Sequence, residues 1–292
     1  MVLRLSSEKL IQKNQLFYYQ DTLFSGVMYV VEGREVKAIK ELQNGRVVGD
    51  FKDPYLPEKM PDLRLLDEVL KGDWDEPICL QGKPLTAIVY TFNDGFCVSQ
   101  TELDFGQRSS ETDFLKDGTP YRITYFEDEL GIQQFEWTEK GKLIHYRVTL
   151  WGSLAELSLK GEEDGSLHSI IVKNNFFELI KPYKNWLIDK SFSEKEYMST
   201  LTISRNVYLS GNSVSLDILI SIFENGGFRE CSQVYVSHDM SIDMDLIKFL
   251  TQLNLNRLDF TEQNYPNDTL LQLYTSNAPT CEVYIGNQLI AS

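Results

Sequence analysis

When the chain is slid along itself by 61 places, Leu23-Phe24-Ser25-Gly26-Val27-Met28-Tyr29 falls on Pro84-Leu85-Thr86-Ala87-Ile88-Val89-Tyr90. The same slide carries Glu41-Leu42 onto Glu102-Leu103 and Gly45 onto Gly106. One register that matches apolar, small and turn positions together is the signature of a repeated structural unit. Whatever fold the chain adopts must therefore accommodate two related pieces of backbone.

Within the first copy, Leu16–Tyr19, Val27–Val31 and Val36–Leu42 are rich in strand formers. Glu32-Gly33-Arg34-Glu35 and Asn44-Gly45 supply the turns between them. The second copy runs from Pro77 to Gly106 and turns at Asn93-Asp94-Gly95. Between the copies, the Pro-rich stretch 53–77 carries Leu63-Arg64-Leu65-Leu66-Asp67-Glu68-Val69-Leu70 between Pro61 and Gly72, which is ordinary helix punctuation. It predicts a helical insertion over residues 54–76. Looser echoes follow, with Gln133–Thr138 and Leu143–Leu150 flanking Glu139-Lys140-Gly141. Ala155–Leu159 and Leu167–Val172 likewise flank Glu162-Glu163-Asp164-Gly165. Each pair predicts a hairpin, and neighbouring hairpins would cover one another's apolar faces.

The run Tyr18-Tyr19, Phe24-Ser25-Gly26-Val27, a glycine turn and Asn44-Gly45 resembles the bacterial MORN-repeat variant of proteins labelled YwqK-type antitoxins. The resemblance is best over residues 8–51, weaker over 77–106 and weakest over 121–172. The second copy departs from it where Gly26 becomes Ala87 and Tyr18-Tyr19 becomes Cys79-Leu80. It implies a β-meander and a toxin-neutralising role, and it carries no catalytic residues.

From about residue 190 the period shortens. Val207-Tyr208-Leu209, Val234-Tyr235-Val236, Leu258-Asp259-Phe260 and Val283-Tyr284-Ile285 recur at intervals of 27, 24 and 25. Helix-like runs Val214–Phe223, Asp243–Leu253 and Asp268–Tyr274 separate them. Alternation at that spacing predicts a short parallel strand–helix solenoid. It resembles a degenerate leucine-rich repeat, best at Leu255-x-x-Leu258-x-Phe260, without the asparagine ladder of that family; a small α/β domain is the other reading. The fold class expected is α+β, with a MORN-variant β-hairpin domain over residues 1–180 and a leucine-rich-repeat-like α/β domain over 190–292.

Function is less legible. Twenty-eight basic residues against 43 acidic give a net charge of -15. That field repels phosphate backbones and anionic membranes, so neither nucleic acid nor membrane is an expected partner. No segment reads as a secretory signal or membrane span, which predicts a cytoplasmic protein. Cys79, Cys97, Cys231 and Cys281 are scattered in strand-like patterns and read as buried thiols. His145, His168 and His238 are too dispersed to propose a metal site. Helix capping accounts for Asp239, Asp243 and Asp245. No phosphate loop, dinucleotide fingerprint or nucleophile elbow occurs, so no catalytic residue or cofactor is assigned.

Alternation along strands places some tyrosines and tryptophans on an outer face. Tyr18, Tyr19, Tyr29, Tyr90, Trp137 and Tyr146 are the candidate partner-binding residues, with core filling as the competing role. The reading is a non-enzymatic protein-binding module, in its specific form an antitoxin or immunity-like protein masking a basic toxin domain. The alternatives are an enzyme or small-ligand protein with a site around residues 173–200, and a scaffold that self-associates through its last strand.

Overall fold

The computed structural model describes residues 2–56, 61–69, 77–127, 131–150, 152, 155–161, 167–173, 203–210, 219–220, 223–224, 228 and 231–291. It is 56% strand, and two α-helices have defined bounds, Met244–Leu250 and Asp268–Asn277. The fold is therefore mainly β, with mixed pairing and a solenoid-like repeat architecture, and the expected α+β class is corrected. By contacts the chain divides into Met1–Asp128 with Glu139–Gly141, and Glu129–Thr138 with Lys142–Ser292. That division falls well before the junction at 180–190 suggested by the change of sequence period.

The repeat of the first unit is longer than the sequence match. Copy one comprises β1 (Arg4–Ser6), a 3-10 turn (Ser7–Lys9), β2 (Ile11–Lys13), β3 (Leu16–Tyr19), β4 (Thr22–Leu23), β5 (Gly26–Glu32), β6 (Glu35–Gln43) and β7 (Arg46–Asp50). Copy two comprises β8 (Arg64–Leu66), a 3-10 turn (Asp67–Val69), β9 (Cys79–Leu80), β10 (Lys83–Pro84), β11 (Ala87–Asn93), β12 (Phe96–Asp104) and β13 (Gln107–Phe114). β14 (Pro120–Glu127) then pairs antiparallel with β13. Backbone hydrogen bonds repeat with the same offset. Phe17 N donates to Gly45 O, Phe24 N to Phe17 O and Gly45 N to Phe24 O, while Ile78, Gly106 and Leu85 form the same circuit. Ser25 Oγ accepts from Asn44 N as Thr86 Oγ1 accepts from Phe105 N. Gly45 and Gly106 recur because each has φ above +70° and a Cβ there would meet a backbone oxygen at 2.9 and 2.8 Å.

The two copies interlock. β1 runs parallel to β5 and β8 parallel to β11, while β5–β6 and β11–β12 are antiparallel hairpins. Each leading strand also bridges to the other copy's hairpin, Leu5 opposite Phe96 and Leu65 opposite Glu35. The pairings close a ring β1-β5-β6-β8-β11-β12. One core gathers Val27, Tyr29 and Val36 of copy one with Ile88, Tyr90 and Cys97 of copy two, and the Tyr29 and Tyr90 rings lie 5.1 Å apart. The opposite strand faces carry two further cores, Leu5, Phe24, Met28 and Leu42 in copy one and Leu65, Leu85, Val89 and Leu103 in copy two. Alternation along β5 and β11 assigns successive residues to the two sides.

The polar content of the ring differs between copies. Arg4, 4% exposed, donates to the Tyr29 hydroxyl at 2.9 Å and pairs with Asp53 at 2.5 Å, with its guanidinium 4.2 Å from the centre of the Phe114 ring. Burial opposes its charge, but Tyr29 and Asp53 outweigh that and hold its pKa above the ordinary value. The counterpart of Tyr29 has no such support. Tyr90 Oη and both amide atoms of its cross-strand neighbour Gln100 are buried with no hydrogen-bond partner among the described residues.

The expected helix at Leu63–Leu70 is a strand and a 3-10 turn as far as residue 69, so the helical insertion over 54–76 is corrected; residues 57–60 and 70–76 lie outside the described set. Leu63 to Leu66 sit at spacings that suit a helix, but β11 offers a partner strand, and pairing Leu65 with Val89 buries Leu65 to 3% exposure. Long-range pairing overrides local propensity here.

In the second unit the hairpins expected from sequence form. β15 (Gly131–Trp137), β16 (Leu143–Leu150), β17 (Ala155–Gly161) and β18 (Leu167–Lys173) are an antiparallel meander. The ladder then turns parallel through β19 (Ile203–Ser210), β20 (Gln233–Val236), β21 (Arg257–Phe260) and β22 (Glu282–Ile285). β23 (Gln288–Ala291) returns antiparallel beside β22. Asp243 caps the first helix by accepting from Asp245 N and Leu246 N. Leu246, Ile247, Phe249 and Leu250 are its buried residues. Of the expected helix-like runs, most of Val214–Phe223 lies outside the described residues.

Three outcomes follow for stability. Gly82 also has positive φ but open space around it. Gly82→Ala should cost about 1 kcal/mol of backbone strain and Gly106→Ala clearly more, read as denaturation midpoints. Tyr29→Phe should destabilise by about 1–3 kcal/mol by stranding a buried guanidinium donor, whereas Tyr90→Phe should be neutral or stabilising. Burial pushes the Cys97 thiol up to about 12. The folded state thus keeps a proton that the unfolded chain releases near pH 8.5. This contribution is complete below that pH and lost towards pH 12, at about 1.4 kcal/mol per pH unit. Cys97→Ala should flatten the fall in stability between pH 9 and 10.

Candidate functional site

The parallel ladder of the second unit aligns the middle residue of each triplet. Val207, Leu209, Val234, Val236, Leu258, Phe260 and Val283 are buried on one face. The alternate positions form a column on the other, with Tyr208 opposite Tyr235, Tyr235 opposite Asp259 and Asp259 opposite Tyr284. Parallel, in-register strands stack equivalent residues at the strand spacing, so similar side chains meet face to face. Tyr208 and Tyr235 do so, with centroids 4.6 Å apart and planes 7° from parallel.

Arg257 continues the stack. Its guanidinium lies 4.0 Å from the centre of the Tyr284 ring and grips Asp259 with two bonds, Nε to Oδ2 at 2.8 Å and Nη2 to Oδ1 at 2.7 Å. Gln233 Nε2 donates to the same Oδ2 at 3.0 Å. The Asp259 hydrogen bond is the main reason that the Arg257 pKa stands above its ordinary value. A carboxylate taking three donors is a structural acceptor rather than a base waiting for substrate. A groove of about 600 Å³ runs along this column, from Ser169 and Tyr208 to Glu262, Gly286 and Asn287. Ring faces, hydroxyls and carboxylates line it.

The residues singled out from sequence sit elsewhere. Tyr29, Tyr90 and Tyr146 are 0%, 0% and 2% exposed and cannot anchor a partner. They are core residues because their strand positions face inward. Tyr146 packs 5.0 Å from Phe135 and accepts from Gln133 Nε2. Trp137 is half-buried and stacks on Phe135 at 5.9 Å. Tyr18 and Tyr19 are half-buried on β3, with Tyr19 edge-on to Phe96 at 6.1 Å. Tyr208, Tyr235, Arg257, Asp259 and Tyr284 were missed, although the tyrosines and the aspartate stood at the centre of every triplet. The signal was there once the strands were read as parallel and in register.

Other candidates resolve into structural roles. His145 meets Ser158 Oγ at 3.0 Å and Glu136 at 3.4 Å, and β17 separates its strand from that of His168. Asp239 accepts from Ser210 Oγ at 3.0 Å. No cluster of metal-ligating side chains occurs among the described residues. Cys97, Cys231 and Cys281 are buried, but Cys79 is exposed, which corrects the reading of four buried thiols. A smaller hollow of about 320 Å³ in the first unit lies between Ser6, Val31, Leu66 and Phe92, where Lys9 pairs with Asp94 at 2.6 Å. The junction site expected around residues 173–200 falls almost wholly outside the described residues. The last strand, β23, exposes Leu289 and Ile290. No described helix is long and apolar enough to cross a membrane.

No protein-family model matches the chain, and no curated protein matches it in sequence. Among solved structures, the chain is similar to "Crystal structure of GtfA/B complex bound to UDP and GlcNAc" at 12% identity and a TM-score of 0.24, over 73% of this chain and 45% of that one. The chain thus spans less than half of that protein, and a likeness this low carries no argument about fold or activity.

Proposed function

We propose that this protein is a non-enzymatic binding module that recognises a basic protein partner through the tyrosine column of its parallel ladder. The observation that carries the reading is the Tyr208–Tyr235 stack, with Tyr208 exposed and Tyr235 half-buried, beside Arg257, Asp259 and Glu262 in one groove. Tyrosine provides large contact area at little entropic cost, and tyrosine and arginine are enriched where binding energy concentrates. Among the described residues, the only cation lining this groove is Arg257, which is already neutralised by Asp259, and the chain as a whole carries -15. Such a field accelerates encounter with a basic surface. An antitoxin or immunity-like role is the specific form of this proposal, and it rests on the MORN-variant resemblance and the charge.

The test is affinity capture from lysate of the source organism at low and raised salt, with Tyr208→Ala, Glu262→Lys and Tyr18→Ala compared with the parent protein. A basic protein should be retained at low salt, shed at high salt, and lost with Tyr208→Ala and Glu262→Lys but not with Tyr18→Ala. Retention unaffected by either groove variant would move the binding surface elsewhere.

A further inference from the structure

The column of planar groups ends abruptly. At one end the Arg257 guanidinium sits over Tyr284, at the other Tyr235 stacks on Tyr208, and the next strand, β18, places Ser169 opposite Tyr208. A serine side chain ends at its hydroxyl, one atom beyond Cβ, where the rungs on β19 and β20 carry six-membered rings. Tyr208 is covered on one side by Tyr235 and is 50% exposed, and Ser169 and Tyr208 line the same end of the groove. Among the described residues, no ring fills that rung.

We propose that this rung is a binding site for an arginine side chain of the partner, whose guanidinium stacks on the free face of Tyr208 above Ser169. The inference rests on the binding role proposed above and adds the chemical group that is recognised. Two observations select guanidinium among planar guests. The ladder already holds one against a ring, since the Arg257 guanidinium lies 4.0 Å from the centre of Tyr284 in the same column. Among the described residues the groove also presents Asp259 and Glu262 against one paired cation, so a charged planar guest gains where a neutral ring does not. Guanidinium differs from ammonium here because it is planar and weakly hydrated, and so can stack and shed water at once. Ser169 Oγ and Ser210 Oγ add hydroxyls to that end of the groove.

The experiment uses three dye-labelled peptides of identical spacing, in which glycine alternates with arginine, lysine or citrulline. Binding to the full-length protein is read by fluorescence anisotropy at about 50 and 300 mM salt, a range over which screening separates charge from contact. The arginine peptide should bind about threefold or more tightly than the lysine peptide, with citrulline weakest. Tyr208→Leu, which keeps apolar bulk without a ring, should erase the preference for arginine, and Tyr208→Phe should retain it. Tyr208 is exposed, so neither change threatens the fold. Equal binding of arginine and lysine peptides that is lost in Tyr208→Leu overturns the guanidinium rung while leaving the groove as a binding surface. Binding of both that ignores Tyr208 overturns the rung and counts against the groove as well. No binding of any peptide overturns the rung, and partner capture then judges the binding role by itself.

Discussion

The first unit depends on the reciprocal bridge by which each copy lends its leading strand to the other. A single β-hairpin is barely stable in water, and two hairpins laid side by side still expose edges. Here β1 lies beside β5 and reaches β12, while β8 lies beside β11 and reaches β6. Closure makes one shared interior possible, and Tyr29 and Tyr90 meet there because the repeat puts them at equivalent places in the two halves. The outer cores then follow, since residues alternating with those of the interior must also be covered. The small strands β2–β4 and β9–β10, tied back through Gly45 and Gly106, accompany those faces.

Duplication did not preserve every contact. Asp53 in copy one and Phe114 in copy two stand 61 places apart, and Arg4 engages both, with a salt bridge to the first and a ring contact to the second. One buried cation is thus served by equivalent positions of two different copies. Asymmetry at the centre of a pseudo-symmetric interior gives each half something that it cannot supply for itself. A buried pair of this kind contributes little net stability when intact, yet is costly to break, and the ring contact with Phe114 extends it to the second copy.

The second unit solves a different problem with parallel strands. Parallel pairing in register forces like upon like along a column, which suits buried valine and leucine on one face and stacked rings on the other. The same geometry that builds the core therefore builds the groove. No separate loop is needed to bring Tyr208, Tyr235 and Tyr284 into line, and Asp259 at the third position holds Arg257 against Tyr284.

The sequence alone was enough to reveal the 61-residue repeat, the hairpins of both units and the parallel triplets, because turn glycines and strand alternation are local signals that survive without knowledge of neighbours. It did not reveal that Leu63–Leu66 would be a strand. That outcome was decided by β11 across the fold, which offered hydrogen bonds and a core position that no helix at the same place could use. Which aromatics face water was also out of reach, since alternation says that two faces exist but not which one is buried. Ring closure turned Tyr29 and Tyr90 inward, and the parallel register turned Tyr208 and Tyr235 outward into a stack. Residue type and spacing were written in the chain; the direction in which each ring points was settled by what the other strands had already covered.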